Sequence, residues 1–246
     1  MNGPWITPAD DVFDTRALYA AKTAFDGRQR YLFGWNPRRR NADDAEGFEW
    51  GGTLVVHALH QEPTGELYVD LPRTIANAFS TKLDATYAQA LGVSRRTEDL
   101  IEVHAGGTYS LATLGPLPDI CRITGSLEFT PGTSSFGLAF RLQDDLDTGH
   151  FLRFEPYNQR MVLDRWPRPG DIPFEPGFER PLSLRPNTPI PINIVVSDTI
   201  TEIYVAGKVA MSARMYKPAD GKLALFSEDG NVVLRNLQLR RMMKGE

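Results

Sequence analysis

The stretch SSFGLAFRLQDDLDTGHFLRFEP, Ser134–Pro156, decides the fold class of this chain. Within Phe136–Leu142 every second residue is large and apolar, namely Phe136, Leu138, Phe140 and Leu142. This alternation is typical of a β-strand with one buried face and one wetter face. An acidic run, Gln143–His150, separates it from a second apolar run that ends at Pro156. The stretch therefore predicts two β-strands joined by a solvated hairpin turn.

The same pattern continues through the second half of the chain. From about Leu100, short runs rich in Val, Ile, Phe and Tyr alternate with turn residues, and few windows show a sustained helical period. Regularly spaced strands with turn signals between them are typical of a β-sandwich or jelly roll. We therefore expect an all-β protein with a β-sandwich domain over residues 98–243.

The first 75 residues predict a separate sheet. Four apolar runs within Leu18–Leu71 predict four strands, with turn signals at Asp26-Gly27 and Pro63–Gly65. Neighbours such as Val55 and Val56 point to opposite faces, so both faces of this sheet look apolar. A sheet buried on both faces fits one blade of a β-propeller, which packs between other blades. Residues 76–97 show no clear strand pattern, and we assign them to a linker that could hold a short helix or an extended crossover.

The overall composition disfavours several classes of protein. A net charge of −4 and a pI near 5.7 argue against a nucleic-acid-binding protein, which would carry a basic excess. Cys121 is the only cysteine, so neither an intrachain disulfide nor a Cys-based zinc site is expected. No apolar run approaches the roughly 18 residues of a transmembrane helix, and MNGPWITPADD does not resemble a signal peptide. We expect a cytoplasmic protein that binds neither nucleic acid nor a membrane.

Several of these runs resemble a known enzyme family. LYAAKTAFDGRQRYLFGW and FEWGGTLVVHALHQEPTGELYVDLP, within Leu18–Pro72, resemble the last propeller blade of glycoside hydrolase family 32, the invertases, levanases and fructanases. The second half resembles the C-terminal sandwich of a bacterial branch of that family, in the stretches SFGLAFRLQDDLDTGHFLRFEP, LDRWPRPGDIPF, ERPL and IYVAGKVAMSARMY. The resemblance implies a five-bladed β-propeller followed by a β-sandwich. This chain would then be a partial remnant of it, a single blade plus the sandwich.

The resemblance also implies a reaction, the retaining hydrolysis of fructofuranosides or fructosyl transfer. That chemistry needs two carboxyl groups about 5 Å apart, one as nucleophile and one as general acid/base. The family takes these groups from Asn-Asp-Pro and Glu-Cys motifs, and an Arg-Asp-Pro motif holds fructose hydroxyls. None of the three motifs occurs in this sequence, where Cys121 follows Ile120. We therefore assign no catalytic residue, and we expect the C-terminal portion of a β-fructofuranosidase-like enzyme for sucrose or fructans that is inactive by itself.

Three aromatic residues are candidates for substrate binding. Tyr19 and Trp35 match family positions that help to line the sugar pocket, and Trp50 beside Gly51-Gly52 could form its rim. Aromatic rings offer sugar C–H groups a flat apolar surface, and Tyr adds a polar tip. Paired glycines in a strand allow a bulge or a close backbone approach. Packing inside the blade is the alternative for all three aromatic residues, and we favour it for each of them.

The Pro-rich loop RWPRPGDIPF, Arg165–Phe174, is a second candidate. An exposed Trp166 beside Arg165 and Arg168 could bind a sugar ring, as a carbohydrate-binding module does. The same loop could instead be a rigid element that docks the sandwich onto the propeller. We favour docking.

The sequence predicts no metal site and no cofactor. The acidic loop Gln143–His150 could coordinate Ca²⁺ through clustered carboxylates, but its spacing does not match an EF-hand. We favour a hairpin turn there. The histidines show no metal-binding spacing, and His57 and His60 project to opposite faces of a predicted strand, so we expect structural or surface roles for them.

Three functions remain open at this point. The first is the C-terminal portion of a fructosidase, whose partners would be a fructoside substrate and the missing N-terminal propeller blades. A second copy of the chain could cover the same exposed apolar face. The second function is a non-catalytic carbohydrate-binding sandwich, and the third is a structural or dimerisation fragment.

Overall fold

The regular secondary structure in the described part of the chain is almost all β-strand. The computed structural model describes residues 7, 8, 10–168 and 178–243. A short 3₁₀ turn covers Arg40–Ala42, and one α-helix, α1, covers Arg73–Ala78. The strands in the described part are β1 Tyr19–Phe25, β2 Arg30–Arg39, β3 Phe48–Gln61, β4 Leu67–Asp70, β5 Thr81–Leu83, β6 Ala88–Leu91, β7 Val93–Arg96, β8 Leu100–His104, β9 Tyr109–Pro116, β10 Ile120–Phe129, β11 Ser135–Leu142, β12 Gly149–Glu155, β13 Arg160–Trp166, β14 Glu179–Pro181, β15 Ile190–Ser197, β16 Ile200–Val205, β17 Val209–Arg214, β18 Lys222–Glu228 and β19 Asn231–Arg241.

These strands form three sheets in which every pairing is antiparallel. The N-terminal sheet has the order β1-β2-β3-β4. The inner sheet has the order β17-β16-β15-β10-β19-β8-β7, with β5 also paired to β19. The outer sheet has the order β14-β13-β12-β11-β18-β9-β6. The inner and outer sheets face each other as the β-sandwich that the sequence predicts.

The main core fills the space between the inner and outer sheets. Strand alternation sends every second side chain into it, as with Ile192 and Ile194 of β15. Phe129, Phe136 and Phe154 stack in series there, with ring centroids 4.7 Å and 5.2 Å apart. Because these side chains are buried from solvent, the core holds the two sheets in one domain.

The N-terminal sheet packs one face onto the inner sheet. Leu32 and Val69 from the N-terminal sheet bury against Val195 and Tyr204 from the inner sheet. The opposite face is open, since Leu54 is 63% exposed. Within this chain the sheet is therefore buried on one face only, as expected for a single blade without its neighbours. The four-stranded order with hairpin connections agrees with the single sheet that the sequence predicts.

The hairpin turns of the N-terminal sheet lie where the sequence predicts them. Asp26 accepts hydrogen bonds from the backbone N–H groups of Arg28 and Gln29, both at 2.8 Å, and Gly27 has a φ of +94°. A positive φ favours glycine, because glycine has no Cβ to clash with the backbone. The Asp-Gly signal therefore sets the register of β1 against β2.

The alternating strand β11 has no wet face, contrary to the expectation for Phe136–Leu142. Ala139 on its other face packs with Phe151 and Phe226 in a small cluster outside the main core. Arg141 is buried because its guanidinium donates to the carbonyls of Met215 and Asp198, both at 2.5 Å. These partners satisfy a side chain whose polarity predicted exposure.

The stretch 76–97, assigned to a linker, contains short strands of the sandwich. Strand β5 pairs with β19, β6 with β9, and β7 with β8. Strands of three or four mostly exposed residues leave no alternation in the sequence. The short helix considered for this stretch is present as α1, which begins before it. In the part of the chain that the structure describes, no helix is long and apolar enough to cross a membrane.

Candidate functional site

Tyr19, Trp35 and Trp50 lie together on the N-terminal sheet. Tyr19 begins β1 and is the cross-strand partner of Trp35 in β2, while Trp50 comes from β3. Ring centroids are 5.2 Å apart for Tyr19 and Trp35, 5.5 Å for Tyr19 and Trp50, and 6.0 Å for Trp35 and Trp50. All three separations suit favourable aromatic pairs. We call these three residues the aromatic cluster.

Irregular backbone surrounds the aromatic cluster. Gly51 has a φ of +120°, and a Cβ on Gly52 would lie 2.1 Å from the carbonyl oxygen of Asn36. The backbone of β2 therefore approaches Gly52 closely, which is one of the two features that paired glycines allow. The pairing of β1 with β2 also shifts register just after Tyr19. Such bulges re-aim side chains at the ends of strands.

The aromatic cluster is open to solvent in this chain. Trp50 is 84% exposed and Tyr19 is 48% exposed, while Trp35 is half-buried. Most of the Trp50 ring is therefore not packed against the described residues of this chain. Exposed flat rings on a rigid sheet could stack against the C–H faces of a sugar, but they supply no acid or base for its cleavage.

A buried polar network lies between the N-terminal sheet and the inner sheet. His57 Nε2 is 2.9 Å from Asp14 Oδ2, and His57 Nδ1 is 2.8 Å from the Tyr204 hydroxyl. Tyr204 in turn donates to Glu202 at 2.9 Å. Asp14, His57 and Tyr204 are at most 2% exposed, so a sugar cannot reach them. The network holds the two sheets together, in line with the structural role predicted for His57.

The pKa values in this network reflect burial and hydrogen bonding together. Burial alone would raise the pKa of Asp14, but the hydrogen bond from His57 and N–H groups of Ser212 and Thr15 hold it below its ordinary value. Burial raises the pKa of Glu202 above its ordinary value. The sequence does not reveal this network, because Asp14 and Tyr204 are 190 positions apart and carry no motif.

The structure separates the residues of the Pro-rich loop. Arg165 donates from Nε to the Lys217 carbonyl at 3.1 Å and lies 3.5 Å from the carboxylate of Asp44, beyond the end of β2. Arg165 therefore docks the sandwich against the N-terminal segment. Trp166 points the other way, is 40% exposed, and lies under the guanidinium of Arg168 at 5.2 Å from the ring centroid. Residues 169–174 of this loop lie outside the described residues.

Trp166 and Arg168 form one side of a cleft on the outer sheet, with a volume of about 710 Å³. Its other walls come from elements far apart in sequence, including Tyr109 of β9, Phe151 and Arg153 of β12, and Asp147. Ligand pockets commonly fall between about 300 and 1,000 Å³. The sequence points to Trp166 and Arg168 but not to the other lining residues, because only strand order brings them together.

The acidic loop is a hairpin turn beside this cleft. Asp145 accepts hydrogen bonds from the N–H groups of Asp147 and Thr148 at 3.0 Å and 2.9 Å, and from the Thr148 hydroxyl at 2.7 Å. Such bonds are typical of a turn closed by an aspartate side chain. Among the described residues, no group of three His, Cys, Asp or Glu side chains is arranged to hold a metal ion.

A family model matches most of the sandwich. Residues 94–241 match the model described as glycosyl hydrolases family 32 C terminal. No curated protein sequence matches the chain.

Solved structures share the fold at low sequence identity. The exo-inulinase from Aspergillus awamori aligns with a TM-score of 0.64 and 15% identity over 94% of this chain and 44% of its own. The sucrose-6-phosphate hydrolase from Lactobacillus gasseri aligns with a TM-score of 0.59 and 18% identity over 94% of this chain and 42% of its own. This chain therefore spans less than half the length of either enzyme.

The sandwich also resembles a smaller protein. The carbohydrate-binding module CBM66 from Bacillus subtilis aligns with a TM-score of 0.52 and 14% identity, over 66% of this chain and 99% of its own. At these identities the alignments support a shared fold alone.

Proposed function

The chain belongs to the glycosyl hydrolase family 32 C-terminal family, and from that premise we propose that it is the C-terminal portion of a β-fructofuranosidase-like glycoside hydrolase. Its substrates would be sucrose or fructans, as for the invertases and levanases that the sequence resembles. The catalytic acids would come from another segment of the enzyme. A cytoplasmic location belongs to the same proposal.

The aromatic cluster carries this proposal. Tyr19, Trp35 and Trp50 come from three strands, yet their rings meet within 6.0 Å on an exposed part of the sheet. A solvent-exposed cluster of this kind is unusual for a surface without a binding role. In the intact enzyme it would line the wall of a sugar pocket whose acids lie opposite.

The outward face of the N-terminal sheet supports a partner. Trp35 and Leu54 are cross-strand partners on that face, and Tyr31 and Phe33 are only half-buried there. Apolar residues on an uncovered sheet face favour a second sheet packed against them. We assign that place to the propeller blades that carry the catalytic acids, or to a second copy of the chain when those blades are absent.

The test is reconstitution of fructose release. The chain would be produced together with, or fused to, a family 32 propeller segment that carries the Asn-Asp-Pro, Arg-Asp-Pro and Glu-Cys motifs. We expect release of fructose from sucrose, inulin or levan by the combination and none by the chain alone. In the active combination, Trp50→Ala should raise KM about tenfold. No fructose release from any of the three substrates would contradict the proposal.

A second candidate function is a non-catalytic carbohydrate-binding sandwich. The cleft on the outer sheet supports it, since the cleft lies in the sandwich itself and needs no propeller. The two functions are compatible in one enzyme, because they use different parts of the chain.

A further inference from the structure

We propose that the cleft on the outer sheet binds a neutral oligosaccharide. The proposal rests on the second candidate function above and gives it a location and a ligand class. The cleft lies on the face of the outer sheet that points away from the main core. The N-terminal sheet, with its aromatic cluster, instead covers the inner sheet. The two sites are therefore on opposite sides of the sandwich.

Aromatic rings form the floor and one wall of the cleft. Tyr109 stacks on Phe226 with ring centroids 5.8 Å apart and planes at 22°, and Phe151 meets Phe226 edge-on at 5.6 Å. Trp166 adds a partly exposed ring at the side. Packed rings hold one another rigidly, so they offer a preformed apolar surface for the C–H face of a sugar.

Hydrogen-bonding groups stand around this apolar floor. Arg153 pairs with Glu228 at 3.0 Å, and Arg168 Nε donates to Asp164 at 2.9 Å. Each guanidinium has five N–H donors and each carboxylate several acceptor positions, so the pairs keep unused donors and acceptors beside the cleft. Vicinal hydroxyls of a sugar can both donate and accept, and they match such mixed sets.

Two polar groups at the cleft lack a hydrogen-bond partner among the described residues. In the described residues, neither the Tyr109 hydroxyl nor the Asp147 carboxylate has a hydrogen-bond partner in the protein. Burial raises the pKa of the Tyr109 hydroxyl well above its ordinary value, and the charge of Glu228 acts in the same direction, so the hydroxyl stays protonated. The hydroxyl can therefore donate to a ligand, and Asp147 can accept from one.

The charge of the lining selects against anions. Asp145, Asp147, Asp164 and Glu228 outnumber Arg153 and Arg168, which leaves two excess negative charges. A phosphorylated sugar would meet this excess and be repelled. A purely apolar ligand would strip water from the polar rim without replacing its hydrogen bonds, at a cost in affinity. A neutral ligand rich in hydroxyls avoids both penalties.

Calorimetric titration of the full chain tests the proposal. The probes are sucrose, 1-kestose, maltotriose, cellotriose and xylotriose, with fructose 6-phosphate as the anionic comparison. We expect at least one neutral saccharide to bind and fructose 6-phosphate to give no heat. Trp166→Ala should weaken that binding about tenfold, because the stacking wall is lost. Tyr109→Phe and Asp147→Asn keep the shape of the cleft and should each weaken binding several-fold.

Tyr157→Ala is the matched control, since it removes a ring that is 74% exposed and lies outside the lining of the cleft. It should leave the affinity unchanged, and thermal unfolding should verify that every variant is folded. The proposal is overturned if no neutral saccharide binds, or if Trp166→Ala and Tyr109→Phe both bind as the original chain does. If only Trp50→Ala loses binding, the saccharide binds at the aromatic cluster. This result overturns the proposed binding site in the cleft but leaves the fructosidase proposal standing.

Discussion

The two outward faces of the sandwich use polar residues in opposite ways. The inner sheet is covered by the N-terminal sheet, and Asp14, His57 and Tyr204 at that junction are hydrogen-bonded to one another. Among the described residues no sheet covers the cleft on the outer sheet, where the Tyr109 hydroxyl and the Asp147 carboxylate lack hydrogen-bond partners. A covered face needs internal partners for its polar groups, whereas an open face can keep them for a ligand.

Arginines show the same contrast. Arg214 at the covered face donates to the carbonyls of Asn36 and Pro37, at 2.9 Å and 2.8 Å, and so ties β17 to the N-terminal sheet. Arg153 on the open face pairs with Glu228 and remains partly exposed at 28%. Arginine alone does not distinguish docking from binding, because the partner and its burial decide between them.

Loss of the buried network should have the largest effect on stability. In Asp14→Ala, His57 and the N–H groups of Thr15 and Ser212 lose a buried acceptor. We expect the free energy of unfolding to fall by about 3 kcal/mol or more, as for other broken buried pairs. Urea unfolding followed by tryptophan fluorescence measures the change.

Asp144→Ala is the matched control on the open side. The Asp144 side chain is 91% exposed and pairs with Lys222. Its loss should change the free energy of unfolding by no more than about 0.5 kcal/mol. Equal effects from the two substitutions would contradict the contrast between covered and open faces.

Lowering the pH should reduce the free energy of unfolding through the buried His150. Burial and the charges of Arg141 and Arg165 lower the pKa of His150 to about 3, and His150 lies 3.1 Å from the Lys217 carbonyl. The unfolded chain binds a proton at this histidine below a pH of about 6.5, but the folded chain does not. Stability is therefore full above that pH and falls by about 1.4 kcal/mol per pH unit as the pH drops from about 6 toward 3.

His150→Gln isolates this contribution from that of the carboxylates. Glutamine keeps an N–H donor for the Lys217 carbonyl but does not titrate. Urea unfolding between pH 7.5 and 4.5 should show a shallower loss of stability for His150→Gln than for the original chain. Parallel slopes for the original chain and His150→Gln would rule this contribution out.

Self-association should be the next effect in size. The open face of the N-terminal sheet carries Trp50 and Leu54, which are 84% and 63% exposed. We expect the chain to form dimers or larger species at micromolar concentration, and the double change Trp50→Ser, Leu54→Ser to weaken them about tenfold. Sedimentation velocity measures the change. Tyr157→Ser removes a ring on the sandwich that is 74% exposed and should leave self-association unchanged. A monomeric original chain would contradict the prediction.

Local signals in the sequence predicted the framework well. The turn at Asp26-Gly27 and the alternation in Phe136–Leu142 reflect backbone and burial preferences that act within a few residues. The alternation misjudged Arg141, since its carbonyl acceptors come from Met215 and Asp198, more than 50 positions away. Polarity along a strand predicts exposure only where distant partners are absent.

The candidate sites were also predictable from the sequence only in part. Tyr19, Trp35 and Trp50 were identified by family resemblance, and hairpin pairing brings them together. Tyr109 carries no motif and enters the cleft through the order of strands in the outer sheet. A site assembled across a sandwich therefore leaves only part of its lining visible in sequence.

The neighbours Arg165 and Trp166 in β13 test the same contrast with the smallest expected effects. Arg165 faces the N-terminal segment and Trp166 faces the cleft, because adjacent side chains in a strand point to opposite sides. Arg165→Ala removes the bond to the Lys217 carbonyl and should lower the free energy of unfolding by about 1 kcal/mol. Saccharide affinity should stay unchanged in this variant. Trp166→Ala should have the reverse profile, with a smaller loss of stability and a clear loss of saccharide affinity. If the two substitutions change stability and affinity equally, docking and binding are not separate functions of this strand.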